Sequence, residues 1–153
     1  MQTTRNMNMQ FQEFGIRLAG IDYIDRPGVY AVMENSHKQV AVIKTQIGYF
    51  LPGGGVEMDE AEVEALKREV LEETGYQISV LSEIGMALEY IQAYSDGKYY
   101  RIRSTFYKVR IDSQSGNGVE QDHQLAWYSQ KDAVRLLTRQ SQAWAIQCKK
   151  QAT

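Results

Sequence analysis

Cysteine and proline are nearly absent from this chain of 153 residues, which contains one Cys and two Pro. A single thiol, Cys148, cannot form an internal disulfide, so the sequence gives no sign of an oxidising compartment. Cys148 lies in a Lys-rich stretch away from any motif, and we do not expect it to do chemistry. The two prolines mark no domain boundary, and the chain shows no repeat or low-complexity segment.

Long apolar runs and an excess of positive charge are also missing. The formal net charge is −2, whereas binding to a nucleic acid polymer needs clustered Lys and Arg. No stretch approaches the ~20 apolar residues of a membrane span, and the N-terminus lacks the apolar core of a signal peptide. We therefore predict a cytoplasmic protein that binds neither nucleic acid polymers nor membranes. Its oligomeric state stays open, a homodimer included.

The order of predicted elements indicates an α/β protein. We predict a flexible N-terminus over residues 1–12 and one domain over residues 13–153, since this length and 43% apolar residues allow a hydrophobic core. Strands are predicted over residues 16–24, 29–33, 39–44, 78–94, 99–111 and 125–128, and helices over residues 60–74, 131–137 and 141–150. The second and third strands, and the fourth and fifth, are interpreted as hairpins. This order predicts a mixed sheet with helices on its faces.

The helix over residues 60–74 has recognisable ends. Asp59 is predicted as the N-cap with Glu62 completing a capping box, and Gly75 as the residue that stops the helix. One side of the helix is apolar and should be buried, namely Val63, Leu66 and Val70.

Acidic side chains cluster on another side of this helix. Glu69 and Glu73 are four residues apart, Glu72 flanks them, and Glu62 projects to the same side one to two turns earlier. Like charges at this spacing cost about 0.2–0.5 kcal/mol each, and acids in the last turn oppose the helix dipole. A divalent cation bound by the carboxylates would reverse both effects. The alternative is a solvated acidic face that basic neighbours partly neutralise.

The loop before the helix supplies two further features. Arg68 points about 100° away from Glu69, so we expect it to bridge to an acid of the loop, Glu57 or Glu60. The glycines at 53–55 lack Cβ atoms, which lets their backbone approach an ion or a phosphate closely. An ordinary surface Arg and an ordinary glycine turn are the alternatives.

The fixed residues of this segment match a family motif. They are Gly54, Glu60, Arg68, Glu69, Glu72, Glu73 and Gly75. Their spacing resembles the Nudix box, GX5EX7REUXEEXGU, in which U is a bulky aliphatic residue. Tyr76 stands where an aliphatic residue is usual, and Asp59 where many members have glycine. A weaker resemblance extends over residues 28–147.

The resemblance implies the Nudix α/β/α sandwich with a mixed sheet. It also implies divalent-metal-dependent hydrolysis of a nucleoside diphosphate linked to another moiety. Glu69, Glu72 and Glu73 would then bind Mg²⁺ or Mn²⁺, with the Gly53 carbonyl as a further ligand. The residues expected to shape the loop and the helix ends are Gly54, Gly55, Glu57, Glu60 and Gly75.

Further members of the implied site are less well marked. An acid of a later loop often joins the site in this family, and Glu120 is the first candidate, with Asp122 and His123 as second choices. Arg68 is counted with the catalytic set. The general base would be Glu69 or Glu120.

Substrate-binding residues have weaker signals. Arg101 and Arg103 alternate onto one strand face and could meet phosphates, although a solvated strand face explains them equally well. Tyr94 is one of several tyrosines near the hairpin that could stack on a base, although tyrosines also pack on half-buried sheets.

Three functions remain as hypotheses. The first is a MutT-like hydrolase that converts a nucleoside triphosphate, including oxidised ones, to a nucleoside monophosphate and pyrophosphate. The second is a hydrolase of ADP-ribose, nucleotide sugars or dinucleoside polyphosphates. The third is a non-catalytic Nudix-like regulator that binds a nucleotide, which the intact box disfavours.

Overall fold

The structure is a computed structural model that describes residues 10–114 and 123–148. The strands are β1 (Gln10–Phe14), β2 (Ile24–Met33), β3 (Val40–Thr45), β4 (Gly48–Phe50), β5 (Gly53–Gly55), β6 (Tyr76–Gln92), β7 (Tyr99–Gln114) and β8 (Gln124–Tyr128). The helices are α1 (Glu62–Thr74), α2 (Gln130–Leu136) and α3 (Gln140–Gln147). These elements confirm the predicted α/β class.

The strands form two sheets. The larger sheet has the order β1-β6-β7-β2-β5, and it is mixed because β1 is parallel to β6 and β2 to β7, while the β6–β7 and β2–β5 pairs are antiparallel. The smaller sheet is antiparallel, with the order β4-β3-β8. The predicted mixed sheet and the predicted β6–β7 hairpin are confirmed.

Helices cover both faces of the larger sheet, as alternate strand residues point to opposite sides. The apolar side of α1 packs against one face, in a core that includes Val29, Ala31, Leu66, Val70 and Tyr107. The other face packs against α2 and α3, in a core that includes Val42, Leu51, Phe106, Ala133 and Ile146. The three layers confirm the predicted α/β/α sandwich.

The N-terminal end of α1 differs from the prediction, whereas its C-terminal end agrees. The helix begins at Glu62, and Asp59 is not its N-cap, since Asp59 lies in a positive-φ turn (φ 66°). The cap position is Ala61, which makes no side-chain cap bond. Gly75 ends the helix in the left-handed region (φ 78°), as a residue without Cβ does readily, and its N–H donates to the Leu71 carbonyl.

Two other predictions of local structure are wrong. The strands β2 and β3 are joined by a turn around Asn35, but they enter different sheets and share one bridge, Glu34–Val40, so they are not a hairpin. The stretch from residue 16 to residue 23 is not a strand, because Gly15 and Gly20 adopt positive φ and turn the chain.

The predicted flexible N-terminus overlaps a strand. Residues 10–12 belong to β1, whose pairing with β6 orders them, while residues 1–9 lie outside the described residues. In the described part of the chain, every helix is too short or too polar to cross a bilayer.

Candidate active site

The glycine strand β5 lies against α1 and fixes the position of Glu73. The Glu73 side chain is buried, and its Oε1 accepts a hydrogen bond from the Gly53 N–H at 2.8 Å. A Cβ at Gly53 would lie 2.1 Å from the Val29 carbonyl oxygen, and Gly53 has φ 148°. Glycine is therefore required at this position so that the β5 backbone can reach the carboxylate.

Glu69 packs on the neighbouring glycine. A Cβ built at Gly54 would lie 2.5 Å from Oε1 of Glu69 and 2.6 Å from its Cδ. The space that a larger residue would fill is thus occupied by the Glu69 carboxylate. At Gly55, by contrast, a Cβ would meet its nearest atom, the Pro27 carbonyl oxygen, at 3.9 Å.

Arg68 links the loop to the acidic side of α1. Its guanidinium binds Glu60 in a bidentate manner, at 2.7 Å from Nε and 2.9 Å from Nη2, which agrees with the predicted bridge. It also donates from Nη1 to Glu69 at 2.9 Å and to Glu72 at 3.2 Å, although its position on the helix had predicted contacts with the loop alone. The long side chain folds back along the helix, so the direction of its Cα–Cβ bond does not limit its reach.

Charge in this network shifts two pKa values. The hydrogen bond from Arg68, helped by the Glu57 N–H, lowers the pKa of Glu60 to about 2. The same contact with Glu60 raises the pKa of Arg68. Arg68 therefore already offsets part of the electrostatic repulsion among the acids of the helix. The cost of that repulsion is lower here than in the bare helix, so it gives weaker support for a bound cation.

A histidine from outside the box approaches the buried acid. Nδ1 of His123, immediately before β8, lies 3.2 Å from Oε2 of Glu73. This second-choice residue of the sequence analysis is therefore placed at the site. Glu120 and Asp122 lie outside the described residues.

Glu62 was expected on the same side of α1 as Glu69 and Glu73, but its carboxylate binds side chains of β7. It accepts hydrogen bonds from the Tyr107 hydroxyl at 2.8 Å and from the Thr105 hydroxyl at 3.3 Å, both on β7. This contact fastens the first turn of α1 to the sheet and turns Glu62 toward β7. Tyr107, like most tyrosines of the hairpin, is thus a packing residue.

A cavity of about 350 Å³ opens beside the acids. Tyr30 and Phe50 line it together with Gly53, Glu73 and His123. Burial, together with the charges of Glu73 and Glu69 and against that of Arg139, raises the pKa of Tyr30 to about 12. The phenol is therefore neutral at physiological pH, and the cavity combines aromatic walls with an acidic end.

The predicted substrate-binding residues do not line this cavity. Arg101 and Arg103 both bind Asp25 on β2, at 2.9 Å and 3.0 Å. Although burial opposes it, these contacts lower the pKa of Asp25. Tyr94 is 98% exposed in the turn between β6 and β7. A substrate role for these three residues stays a prediction.

The residues on the aromatic side of the cavity were not predicted from the sequence. Tyr30 is in β2, Phe50 in β4 and Arg139 between α2 and α3, with Gln142 behind them. No motif spans these separate elements.

The carboxylate and carbonyl oxygens of this site suit a hard divalent cation, although their present positions do not form a complete set of ligands around one point. Within residues 10–114 and 123–148, no three His, Cys, Asp or Glu residues form a ready-made metal cluster. Arg68 holds Glu69 and Glu72, while the Gly53–Gly54 backbone lies against Glu69 and Glu73. Carboxylate and carbonyl oxygens are the ligands that Mg²⁺ and Mn²⁺ prefer, so the chemistry of these donors fits such an ion.

Solved structures share this fold. The MutT protein from Methanosarcina mazei Go1 superposes with a TM-score of 0.67 at 17% identity, over 87% of this chain and 96% of that one. The dihydroneopterin triphosphate pyrophosphohydrolase of E. coli gives 0.61 at 17% identity, over 81% and 95%. This chain therefore shares the fold of these two proteins.

The family follows from the sequence match. Residues 25–147 match the family model described as the NUDIX domain, and the chain therefore belongs to the Nudix family. A Bacillus subtilis (strain 168) protein provisionally named 8-oxo-dGTP diphosphatase is 36% identical over 61 residues, or 39% of this chain. The match spans 41% of that relative's length. The protein is thus a Nudix-family member with the fold of the MutT structure.

Proposed function

We propose that this enzyme hydrolyses nucleoside triphosphates, oxidised ones included, to a nucleoside monophosphate and pyrophosphate. The observation that carries the proposal is the cavity, in which Tyr30 and Phe50 share one space with Glu73 and Gly53. Aromatic walls suit a nucleobase, and the acidic end suits phosphates that arrive with a cation. The name of the Bacillus subtilis relative, which describes a triphosphate substrate, supports the same class.

Nudix hydrolases generally need divalent metals. In this chain Glu69, Glu72, Glu73 and the Gly53 carbonyl would hold Mg²⁺ or Mn²⁺. Such an ion would neutralise charge on the phosphate oxygens of the substrate.

The chain's own groups supply the proton transfer. Water adds through its oxygen to a phosphorus atom of the anhydride, and the bridging oxygen leaves with pyrophosphate. Glu69 or Glu120 would take the proton that the water loses. Arg68 donates to Glu69 and so orients its carboxylate toward the glycine strand.

A panel assay tests the proposal. The purified chain is incubated with dGTP, 8-oxo-dGTP, ADP-ribose, UDP-glucose and diadenosine tetraphosphate, each with Mg²⁺, with Mn²⁺ or with EDTA. We expect the highest kcat/KM for a triphosphate, with pyrophosphate as product, and no turnover in EDTA. A higher kcat/KM for one of the other three compounds would overturn the substrate class, and hydrolysis that persists in EDTA would overturn the metal role.

A further inference from the structure

The corner between α2 and α3, residues 137–139, is fastened to the segment that enters β5. The Thr138 N–H donates to the Tyr49 carbonyl at 2.9 Å, and the Thr138 hydroxyl accepts from the Tyr49 N–H at 3.0 Å. One turn later, Oε1 of Gln142 accepts from the Leu51 N–H at 2.7 Å, with both residues buried. Three hydrogen bonds therefore hold this corner against the wall of the cavity.

A buried acid holds the other side of the corner. Glu89 on β6 is 6% exposed and accepts from the N–H groups of Gln140 and Ser141, at 3.2 Å and 3.1 Å, and from the Ser141 hydroxyl at 2.6 Å. The first turn of α3 is thereby fixed to the larger sheet. Arg139 lies between these two sets of contacts, so its backbone is held in place.

The Arg139 side chain lies beside Phe50, a residue that lines the cavity. Its guanidinium carbon is 5.5 Å from the centroid of the Phe50 ring, and its charge acts on the Tyr30 phenol. Among the residues that the structure describes, no carboxylate forms an ion pair with Arg139 within 4.0 Å. A half-buried guanidinium gains most from acceptors that lie in one plane, because its five N–H donors form a rigid fork.

We propose that Arg139 is a specificity-determining residue that reads the base of the substrate and favours guanine. The proposal rests on the proposed function, in which the base enters the space between Tyr30 and Phe50. The edge of guanine presents two neighbouring acceptors, O6 and N7, which match the guanidinium fork, whereas adenine presents a donor in place of O6. The cation–π contact with Phe50 holds the guanidinium next to this wall residue of the cavity.

The test compares dGTP with dATP, which carry the same triphosphate. We expect the wild-type enzyme to prefer dGTP by about tenfold or more in kcat/KM, the range that one bidentate contact provides. Arg139→Met should remove most of this preference by raising KM for dGTP, with less than about a threefold change for dATP. Arg139→Lys should also lose the preference, because a point charge lacks the fork.

The control is Arg135→Met, which removes an equal charge from the exposed end of α2. It should leave both nucleotides unaffected, and thermal unfolding of each variant checks that the fold persists. Retention of the preference in Arg139→Met or Arg139→Lys would overturn the inference, as would equal losses for dGTP and dATP.

Equilibrium binding separates this inference from the proposed function. The probes are the α,β-methylene analogues of dGTP and dATP, measured by calorimetry with EDTA present. A wild-type preference for the dGTP analogue that disappears in Arg139→Met supports the base-reading role even if no triphosphate is hydrolysed. Equal affinities in the wild type would overturn that role even if hydrolysis proceeds.

Discussion

The acidic side of the cleft comes from one continuous segment, residues 53–75, whereas the aromatic side takes Tyr30, Phe50 and Arg139 from three distant parts of the chain. On the acidic side the key contacts join near neighbours, such as Arg68 and Glu60. On the aromatic side the contact between Leu51 and Gln142 spans 91 residues. The difference teaches that local sequence arranges the acidic side chains, while long-range packing assembles the cavity beside them. Substitutions on the two sides should therefore affect different quantities.

The largest effect is expected on the acidic side. Glu69→Gln keeps the size of the side chain but removes the charge and one of the two proposed bases, so kcat should fall by about 10²- to 10⁴-fold. The urea midpoint should change little, because the amide oxygen can still accept from Arg68. Steady-state kinetics with a triphosphate measures the effect, and Glu64→Gln on the exposed side of the same helix is the control. Near-full activity in Glu69→Gln would show that Glu69 has another role.

Gly54→Ala should be the next most damaging change. The added Cβ would lie 2.5 Å from Oε1 of Glu69, so the carboxylate must move. A displacement of about 1 Å can cost up to ~10²-fold in rate, and we expect a loss of kcat of about tenfold or more. Gly55→Ala is the matched control, since its Cβ meets nothing nearer than 3.9 Å. Equal activities of the two variants would contradict the close packing of Glu69 on Gly54.

On the aromatic side, Gln142→Met should lower stability more than rate. The substitution leaves the buried Leu51 N–H without its acceptor, which costs about 1–3 kcal/mol of the free energy of unfolding. Urea denaturation measures this loss, and Gln147→Met on the exposed part of the same helix should change it little. If kcat fell by more than a hundredfold in Gln142→Met at full stability, the proposed division between the two sides would be wrong.

The smallest effect concerns the pH dependence of stability. The pKa of Glu60 is about 2 in the folded chain, below its ordinary value of 4.5, so its bond to Arg68 stabilises the fold above pH 4.5. This contribution is lost as the pH falls from 4.5 toward 2. Urea midpoints measured over that range should fall less steeply in Glu60→Gln than in the wild type. The exposed Glu57→Gln is the control, and parallel curves for Glu60→Gln and the wild type would refute the assignment.

Local patterns predicted the elements whose structure depends on near neighbours. The predicted end of α1 at Gly75 is correct, because glycine readily adopts the φ of 78° found there. The predicted Arg68–Glu60 bridge also forms, because the loop that carries Glu60 leads directly into the helix that carries Arg68. The predicted N-cap at Asp59 is wrong, because Asp59 lies in a positive-φ turn of the loop. Within this loop the Glu60 carboxylate accepts a hydrogen bond from the Glu57 N–H. The hydrogen bond from Arg68 to Glu72 was not predicted, because the angular position of a residue around the helix does not account for the length of its side chain.

Patterns of sequence could not show which strands share a sheet. Two β-rich runs beside a turn predict a hairpin, yet β2 pairs with β5 and β7 while β3 pairs with β4 and β8. Which strands pair depends on how both faces of each strand are buried. The elements that bury those faces lie far away in the sequence.

The sequence by itself determined the family and the acidic helix, because the spacing of these residues within one segment sets their relative positions. It predicted a glycine loop where the structure has the strand β5. Only the tertiary structure decided that His123 meets Glu73, that Arg101 and Arg103 bind Asp25, and that Arg139 lies on Phe50. These contacts join residues that are far apart in the chain, and they form only when the packing of both cores brings their elements together.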